Sequence, residues 1–410
     1  MDVSTSRPTQ EEFAKQARTF LDAHAQPRPA AEEFSWGVGS DAVALFAEPS
    51  SEERAAELGE ARRWRRLVFD AGFGWLSGPV EWGGRGLPLS YERTYTELER
   101  LYTVPSIGPF AIGLGMVAPT LLAHGTDDAK RRWLRALYRG DAIGCQLFSE
   151  PGAGSDLASV TTSAVREDES WIINGQKVWS SGAHFSDVGL VLTRSGGGPR
   201  HRNLTAFLID MAAPGIDVRP LRQMTGGAAF NEVFLKDVVV ADDHRLGDVD
   251  GGWRVAITTL MNERAAVGGP AGGGGGVLSH ARLVGLARRA GRADDPIVRQ
   301  RLAQVYVDLE LWRLNRRRAV ARSGAGQIAG PEMSMAKVAL TCNLQSVAEL
   351  VGELLGPWLV ADADEWGTYA WTQFVLGVPG VRLGGGTDEI MRTIVAERVL
   401  GLPKEPVPDE

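Results

Sequence analysis

Cys145-Gln146-Leu147-Phe148-Ser149-Glu150-Pro151-Gly152-Ala153-Gly154-Ser155-Asp156-Leu157 decides how the rest of this 410-residue chain is read. The stretch stands at a join between two grammars. Upstream, residues 1–143 read as a helical domain: Ser50 and Glu53 have capping-box spacing ahead of a helix over Arg54 to Ala71. Further helices are expected near Tyr91 to Leu101 and Asp128 to Tyr138, with the turn-rich Gly83-Gly84-Arg85-Gly86 between them. Downstream, residues 144–246 read as a compact β domain. Val188 to Leu192, Leu204 to Ile209 and Asn231 to Val240 are strand candidates. Asn174-Gly175, between Trp171-Ile172-Ile173 and Gln176 to Trp179, predicts a type I′ hairpin, because such a turn needs two positive φ angles.

Residues 247–410 return to helical spacing. Val298, Leu302, Val305, Leu309 and Trp312 recur at intervals of 4-3-4-3, and Leu340, Leu344, Val347, Val351 and Leu354 repeat the pattern. Two long amphipathic helices with that seam predict a bundle. Trp253, Ile257 and Leu260 begin another helix, and Ile390, Ile394 and Val399 a final one.

Composition narrows the chemistry. The net charge of −7 argues against a polyanion-binding surface, and so against nucleic acid as a partner. Two cysteines, Cys145 and Cys342, are too few for a disulfide framework or a four-cysteine metal site, and the six histidines have no metal-ligand spacing. The polar start, Met1 to Glu12, is unlike a signal peptide, and no run of 18 apolar residues occurs, so a cytoplasmic protein without membrane insertion is expected. Fifty glycines imply close backbone approach or repeated positive φ, with runs at Gly272 to Gly276 and Gly384 to Gly386. Only six of the 44 basic residues are lysine, a skew read as coding bias.

The phosphate-loop, zinc-helix, nucleophile-elbow and dinucleotide-fingerprint patterns are all absent from the sequence. What the join does contain, Ser149-Glu150-Pro151-Gly152-Ala153-Gly154-Ser155-Asp156, resembles the signature of the acyl-CoA dehydrogenase family at the same location. Four further segments match that family in order. They are Glu81-Trp82-Gly83-Gly84-Arg85-Gly86, His124-Gly125-Thr126, Asn174-Gly175-Gln176-Lys177-Val178-Trp179 and Gly386-Thr387-Asp388-Glu389-Ile390. The resemblance covers nearly the whole chain. It implies a mainly α, α+β architecture with an N-terminal helical domain, a central β-barrel-like domain and a C-terminal four-helix bundle. It also implies FAD held without a Rossmann fold, between the β domain and the bundle, with part of the site from a neighbouring subunit.

Residue by residue, the resemblance implies that Gln146, Phe148 and Ser149 contact the flavin, and that Gly154 and Ser155 lie by cofactor and thioester. Trp179 and Ser181 match positions at the flavin face and near its N5. An indole can stack on isoalloxazine, and small hydroxyls satisfy its polar edge. Gly386, Thr387 and Glu389 match positions that touch the cofactor, and Gly356 is carried over as a further cofactor position. Thr387 reads independently as an N-cap ahead of acidic Asp388 and Glu389, and bare N–H groups at a helix start suit a phosphate.

Dehydrogenation at the α and β carbons of a thioester needs a base for the α proton while a hydride leaves the β carbon. Many family members carry a glutamate immediately before the Gly-Thr pair; here that position is Gly385. The isovaleryl- and long-chain-type members place it on the first helix after the β domain, and Glu263 in Leu260-Met261-Asn262-Glu263-Arg264 is the matching residue. Glu263 is therefore the expected base, Arg264, Leu260 and Ser155 are expected at the substrate, and the backbone N–H of Gly385 is expected at the thioester carbonyl. Two departures concern the CoA and adenine contacts: the family's Arg-x-Phe-Gly segment is not present around Arg289 to Arg292, and Met261 stands where many relatives have aspartate. They leave open a carrier other than free CoA. The expected partners are an acyl-CoA thioester, an electron-transfer flavoprotein and further copies of the chain as a homodimer or homotetramer. A heteromeric partner subunit and a flavin oxidase or monooxygenase are the alternative readings.

Overall fold

The computed structural model describes residues 7–29, 34–46, 49–267, 279–322 and 331–404, with the backbone alone at 51, 264–267, 320 and 322. Helices and one central sheet form two compact units. Among described residues the first comprises 7–29, 49–221 and 229–262, and the second 34–46, 222–228 and 263 onward.

In the first unit, α1 (Gln10–His24) and α2 (Ser51–Asp70) each start at a complete capping box, Thr9 with Glu12 and Ser50 with Glu53, as the sequence predicts for α2. Helices α3 (Leu89–Glu99), α4 (Ala118–His124) and α5 (Asp127–Arg139) follow. The two-residue strands β1 (Gln26–Pro27) and β2 (Tyr102–Thr103) pair with each other. Phe13, Leu21, Trp64, Val68, Tyr91 and Leu98 close a core among these helices, where each buried large side chain contributes about 1.5–3 kcal/mol.

The sheet contains β3 (Gly144–Leu147), β4 (Ser163–Glu167), β5 (Ser170–Lys177), β6 (Val188–Arg194), β7 (Leu204–Asp210), β8 (Ile216–Leu221), β9 (Phe230–Ala241) and β10 (Arg245–Leu246). Its order is β10-β7-β6-β4-β5-β9-β8, and β3 pairs in parallel with β6. Because side chains alternate along a strand, β6 and β7 feed two cores. Val188, Leu190, Leu192, Leu204, Ala206 and Leu208 pack among residues of α4, α5 and α6 (Gly252–Val267), while Val191, Phe207 and Ile209 join Trp171, Ile173 and Val238 on the other face.

The Asn174-Gly175 hairpin is corrected. These residues lie inside β5, which runs unbroken past them with a register shift against β9, and the turn instead falls at Asp168, whose φ is +52°. Asn174 spends its side chain on Asp237, donating to its carboxylate at 3.1 Å and accepting from its N–H at 2.9 Å. Gly175 is required by close approach: a Cβ there would lie 2.4 Å from Thr162 Oγ1.

Helix α6 begins where Trp253, Ile257 and Leu260 place it, and Trp253 and Leu260 pack against the core that includes Val255 and Ala256. The buried face of α6 carries Val255, Ala256, Thr259 and Asn262, whereas Trp253, Ile257 and Leu260 are half-buried. Counting apolar residues alone misses Thr259, whose hydroxyl is satisfied by the Val255 carbonyl and by Thr120 at 3.0 Å and so buries without penalty.

The second unit contains α7 (His280–Arg289), α8 (Pro296–Arg322), α9 (Met333–Leu355), α10 (Ala370–Leu383) and α11 (Asp388–Ile394), with the end of α6. Both counted stripes face its core, Trp312 at the margin, and Trp371, Phe374 and Val378 of α10 complete it. Residues 34–46 lie against these helices, with Trp36 edge-on to Trp366 at 5.0 Å and Arg282 donating to the carbonyls of Ser40, Asp41 and Ala42. Met333–Leu359 is long and apolar enough to cross a membrane by length and composition, and half of its most apolar window is buried.

Candidate active site

In the first unit the signature stretch runs off the end of β3 and lies beside the end of β5, where the Val178 N–H donates to the Ser149 carbonyl at 2.9 Å. Predicted positions Phe148 and Ser149 are thereby brought beside the strand end that leads into Trp179, while Gln146 lies within β3 opposite Leu190 of β6. Trp179 itself adopts φ +60°, a left-handed backbone that is a costly outlier for a bulky side chain. Its indole is 61% exposed and touches Phe230 edge-on at 6.1 Å. A large apolar ring presented to solvent on strained backbone has the form of a platform for a planar ligand.

The sequence does not anticipate what fixes this arrangement. Lys177 is fully buried, and its ammonium donates to the Glu150 carboxylate at 2.9 Å, the Leu192 carbonyl at 2.7 Å and the Phe148 carbonyl at 3.1 Å. Glu150 accepts in addition from Thr161 N and Oγ1 at 2.7 and 2.8 Å and from Thr162 N at 2.9 Å. Burial pushes the carboxyl upward in pKa, but the Lys177 charge and these donors outweigh it and hold Glu150 down at about 2. Burial likewise lowers the Lys177 ammonium, partly opposed by Glu150. The pair ties the segment 148–150 to the strand that carries Trp179.

Phe148 is 4% exposed, its ring in the core, so it can offer a ligand only its main chain. Ser155 and Gly154 are exposed, and a Cβ on Gly154 would meet nothing within 4 Å, so the loop has open space before it. Beyond Trp179, Ser180 exchanges both main-chain hydrogen bonds with Asn231, whose amide also donates to the Ser180 carbonyl at 2.8 Å. His184 Nδ1 lies 3.1 Å from Asn231 Oδ1, so Asn231 braces the turn that contains Ser181.

The second unit uses the same device. Gly385 and Gly386 take φ +68° and +91°, and a Cβ on Gly386 would fall 2.4 Å from Met391 Cε. Thr387 caps α11, accepting from Ile390 N at 3.2 Å, as its sequence position predicts. Buried Lys337 donates to the carbonyls of Arg382 at 2.9 Å and Gly386 at 2.8 Å and pairs with Asp388 at 3.2 Å. Asp388, 1% exposed, also accepts from Thr341 at 2.8 Å and from Arg382 at 2.9 Å. Burial would raise the Asp388 carboxyl, but Arg382, Thr341 and Lys337 keep it below the ordinary carboxylate range. Gly385, Gly386, Thr387 and Glu389 are thus gathered on one clamped turn, while Gly356 stands apart in sequence at the end of α9 with φ +51°. Glu263 lies one turn beyond Thr259 on α6 and is half-buried. The side chain of Arg264 and the run Gly272 to Gly276 lie outside the described residues.

The donor set fits FAD: an exposed aromatic platform, small hydroxyls at Ser149 and Ser181, and an open glycine loop beside them. Among the described residues no cluster of three metal-ligating side chains occurs. The one signal for the two clamps was lysine scarcity: two of six lysines are buried, and both hold main-chain carbonyls of motif segments.

Three family models match the chain in order: acyl-CoA dehydrogenase N-terminal domain at residues 38–141, middle domain at 145–238 and C-terminal domain at 250–400. The chain is 38% identical over 365 residues to acyl-CoA dehydrogenase IpdE1 of Mycobacterium tuberculosis, spanning 87% of this chain and 91% of that protein. Among solved structures, the Tcur3481-Tcur3483 steroid ACAD is similar with a TM-score of 0.70 at 25% identity, over 99% of this chain and 100% of that one. The ChsE4-ChsE5 complex from Mycobacterium tuberculosis gives 0.68 at 26% identity, over 99% and 100%.

Proposed function

The chain belongs to the acyl-CoA dehydrogenase family, oxidoreductases acting on acyl-CoA, and from that premise we propose that it carries out FAD-dependent α,β-dehydrogenation of an acyl-CoA thioester with Glu263 as the base. The chemistry bound FAD supplies is acceptance of the β hydride. Glu263 removes the α proton; its place on α6, half out of water one turn beyond buried Thr259, supports that role. The N–H of Gly385, on backbone that a side chain would strain, holds the thioester carbonyl and stabilises the charge that develops there. Ser155, Leu260 and Arg264 contact substrate. Gln146, Phe148, Ser149, Gly154, Trp179 and Ser181 in the first unit, and Gly356, Gly386, Thr387 and Glu389 in the second, hold the cofactor.

The observation that carries this reading is the strained, exposed Trp179 hydrogen-bonded through its neighbour Val178 to Ser149. An electron-transfer flavoprotein takes the electrons onward, and the working form is an oligomer. Anaerobic titration of the purified protein with straight, branched and ring-bearing acyl-CoAs tests the proposal. Bleaching of the flavin by at least one class is expected; no bleaching by any would sink it.

A second reading makes the chain one subunit of a heteromeric enzyme. It is favoured by Gly385, which leaves the commonest base position of the family without a side chain, and by similarity over 99% of the chain to a protein solved as the ChsE4-ChsE5 complex. Purification of the chain alone with stoichiometric flavin and full turnover would exclude it.

A further inference from the structure

We propose that Lys177 is a positioning residue that acts on the cofactor through the Phe148–Ser149 peptide, turning the Ser149 N–H into an aimed and strengthened hydrogen-bond donor. The inference rests on the flavin reading above. Its starting point is an excess of charge where packing alone needs none. A buried ion pair is often no more stabilising than apolar side chains of the same volume, so the Glu150–Lys177 pair calls for a local reason. Every donor of the ammonium is committed: to Glu150, to the Leu192 carbonyl of β6 and to the Phe148 carbonyl. Glu150 is equally saturated by Thr161 and Thr162.

A trans peptide points its carbonyl and its N–H in opposite directions. With the Phe148 carbonyl drawn to Lys177, the Ser149 N–H faces away from the ion pair. The Ser149 carbonyl is committed to Val178 N at 2.9 Å, which fixes the next peptide as well. Among the described residues the Ser149 N–H has no hydrogen-bond partner, although its neighbours on both sides are bonded. The ammonium behind the carbonyl polarises the peptide and strengthens the donor at its other end. Ser149 is half-buried and lies beside the segment bearing the exposed indole of Trp179. The donor suits a cofactor oxygen or ring nitrogen that gains negative charge on reduction, so it should favour the reduced form over the oxidised one.

The test is the holoprotein carrying Glu150→Gln with Lys177→Met, a neutral replacement of similar volume, read by FAD dissociation constant and flavin midpoint potential. Loss of the polarised donor should loosen FAD by roughly tenfold, the range of one charge-assisted hydrogen bond, and move the potential to a more negative value. A folded double variant with wild-type affinity and wild-type potential overturns the proposal. Should that variant fail to fold, Ser149→Pro removes the N–H and leaves the ion pair intact, while Ser149→Ala keeps the N–H. A negative potential shift in Ser149→Pro alone supports the proposal, and equal potentials in the two overturn it. Wild-type protein that takes up no FAD would instead overturn the flavin reading, and this inference with it.

Discussion

Lys337 Nζ lies 2.8 Å from the carbonyl oxygen of Gly386, so a buried ammonium closes the glycine turn that precedes α11. The same nitrogen pairs with Asp388. Lys337→Met therefore strips one partner from a carboxylate that stays buried, although Arg382 and Thr341 remain bonded to it. A loss of about 2–3 kcal/mol is expected, below the full cost of orphaning a buried charge, and urea unfolding would measure it. Adding Asp388→Asn should return part of that loss.

Acid should weaken the protein through Glu150. Its folded pKa of about 2 lies below its ordinary value of 4.5, so its contribution is complete above about pH 4.5 and is lost as pH falls towards 2. The contribution is on the order of 3 kcal/mol at neutral pH. Urea midpoints compared between pH 5 and 3 should fall less steeply in Glu150→Gln than in the wild type. Parallel curves would assign the acid sensitivity to other groups.

Trp179→Asn separates stability from binding. Asparagine tolerates left-handed backbone, and an indole already 61% exposed surrenders little packing. The flavin-free protein should gain about 1 kcal/mol by thermal denaturation, while FAD titration shows weakened affinity. A variant that is less stable without flavin would contradict the strain at this position.

Glu263→Gln preserves size and removes the carboxylate. FAD content and the visible flavin spectrum should stay as in the wild type while turnover with acyl-CoA falls by at least a hundredfold, the usual range for a positioned general base. Retained turnover would move the base elsewhere.

Helices were legible in this sequence because their signals are local. Capping at Ser50 and Thr387 and the two stripes on α8 and α9 depend on neighbours within a few turns, and each lies where its spacing puts it. Asn174-Gly175 misled because the same dipeptide serves a turn or a close approach, and only Thr162, brought in by the β4–β5 pairing, decides between them. Thr259 was not legible as a buried position of α6, because a hydroxyl can bury once a distant partner, here Thr120, satisfies it. The signature residues around Ser149 were found by resemblance. Their supports were not, because Lys177 and Lys337 reach backbone carbonyls rather than matching side chains, and main-chain acceptors carry no letter in a sequence.

The two buried ammonium groups give this chain an unusual fingerprint towards amine-directed chemistry. Of its lysines, Lys15, Lys236 and Lys404 are exposed and Lys130 is half-exposed, whereas Lys177 and Lys337 are sealed in and hydrogen-bonded. An acylating or reductively methylating reagent would decorate the folded chain at four side chains and spare two. Labelling of either remaining lysine would then report the opening of one particular unit, so that peptide mapping could follow the loosening of each clamped segment separately, without a substrate or a flavin signal.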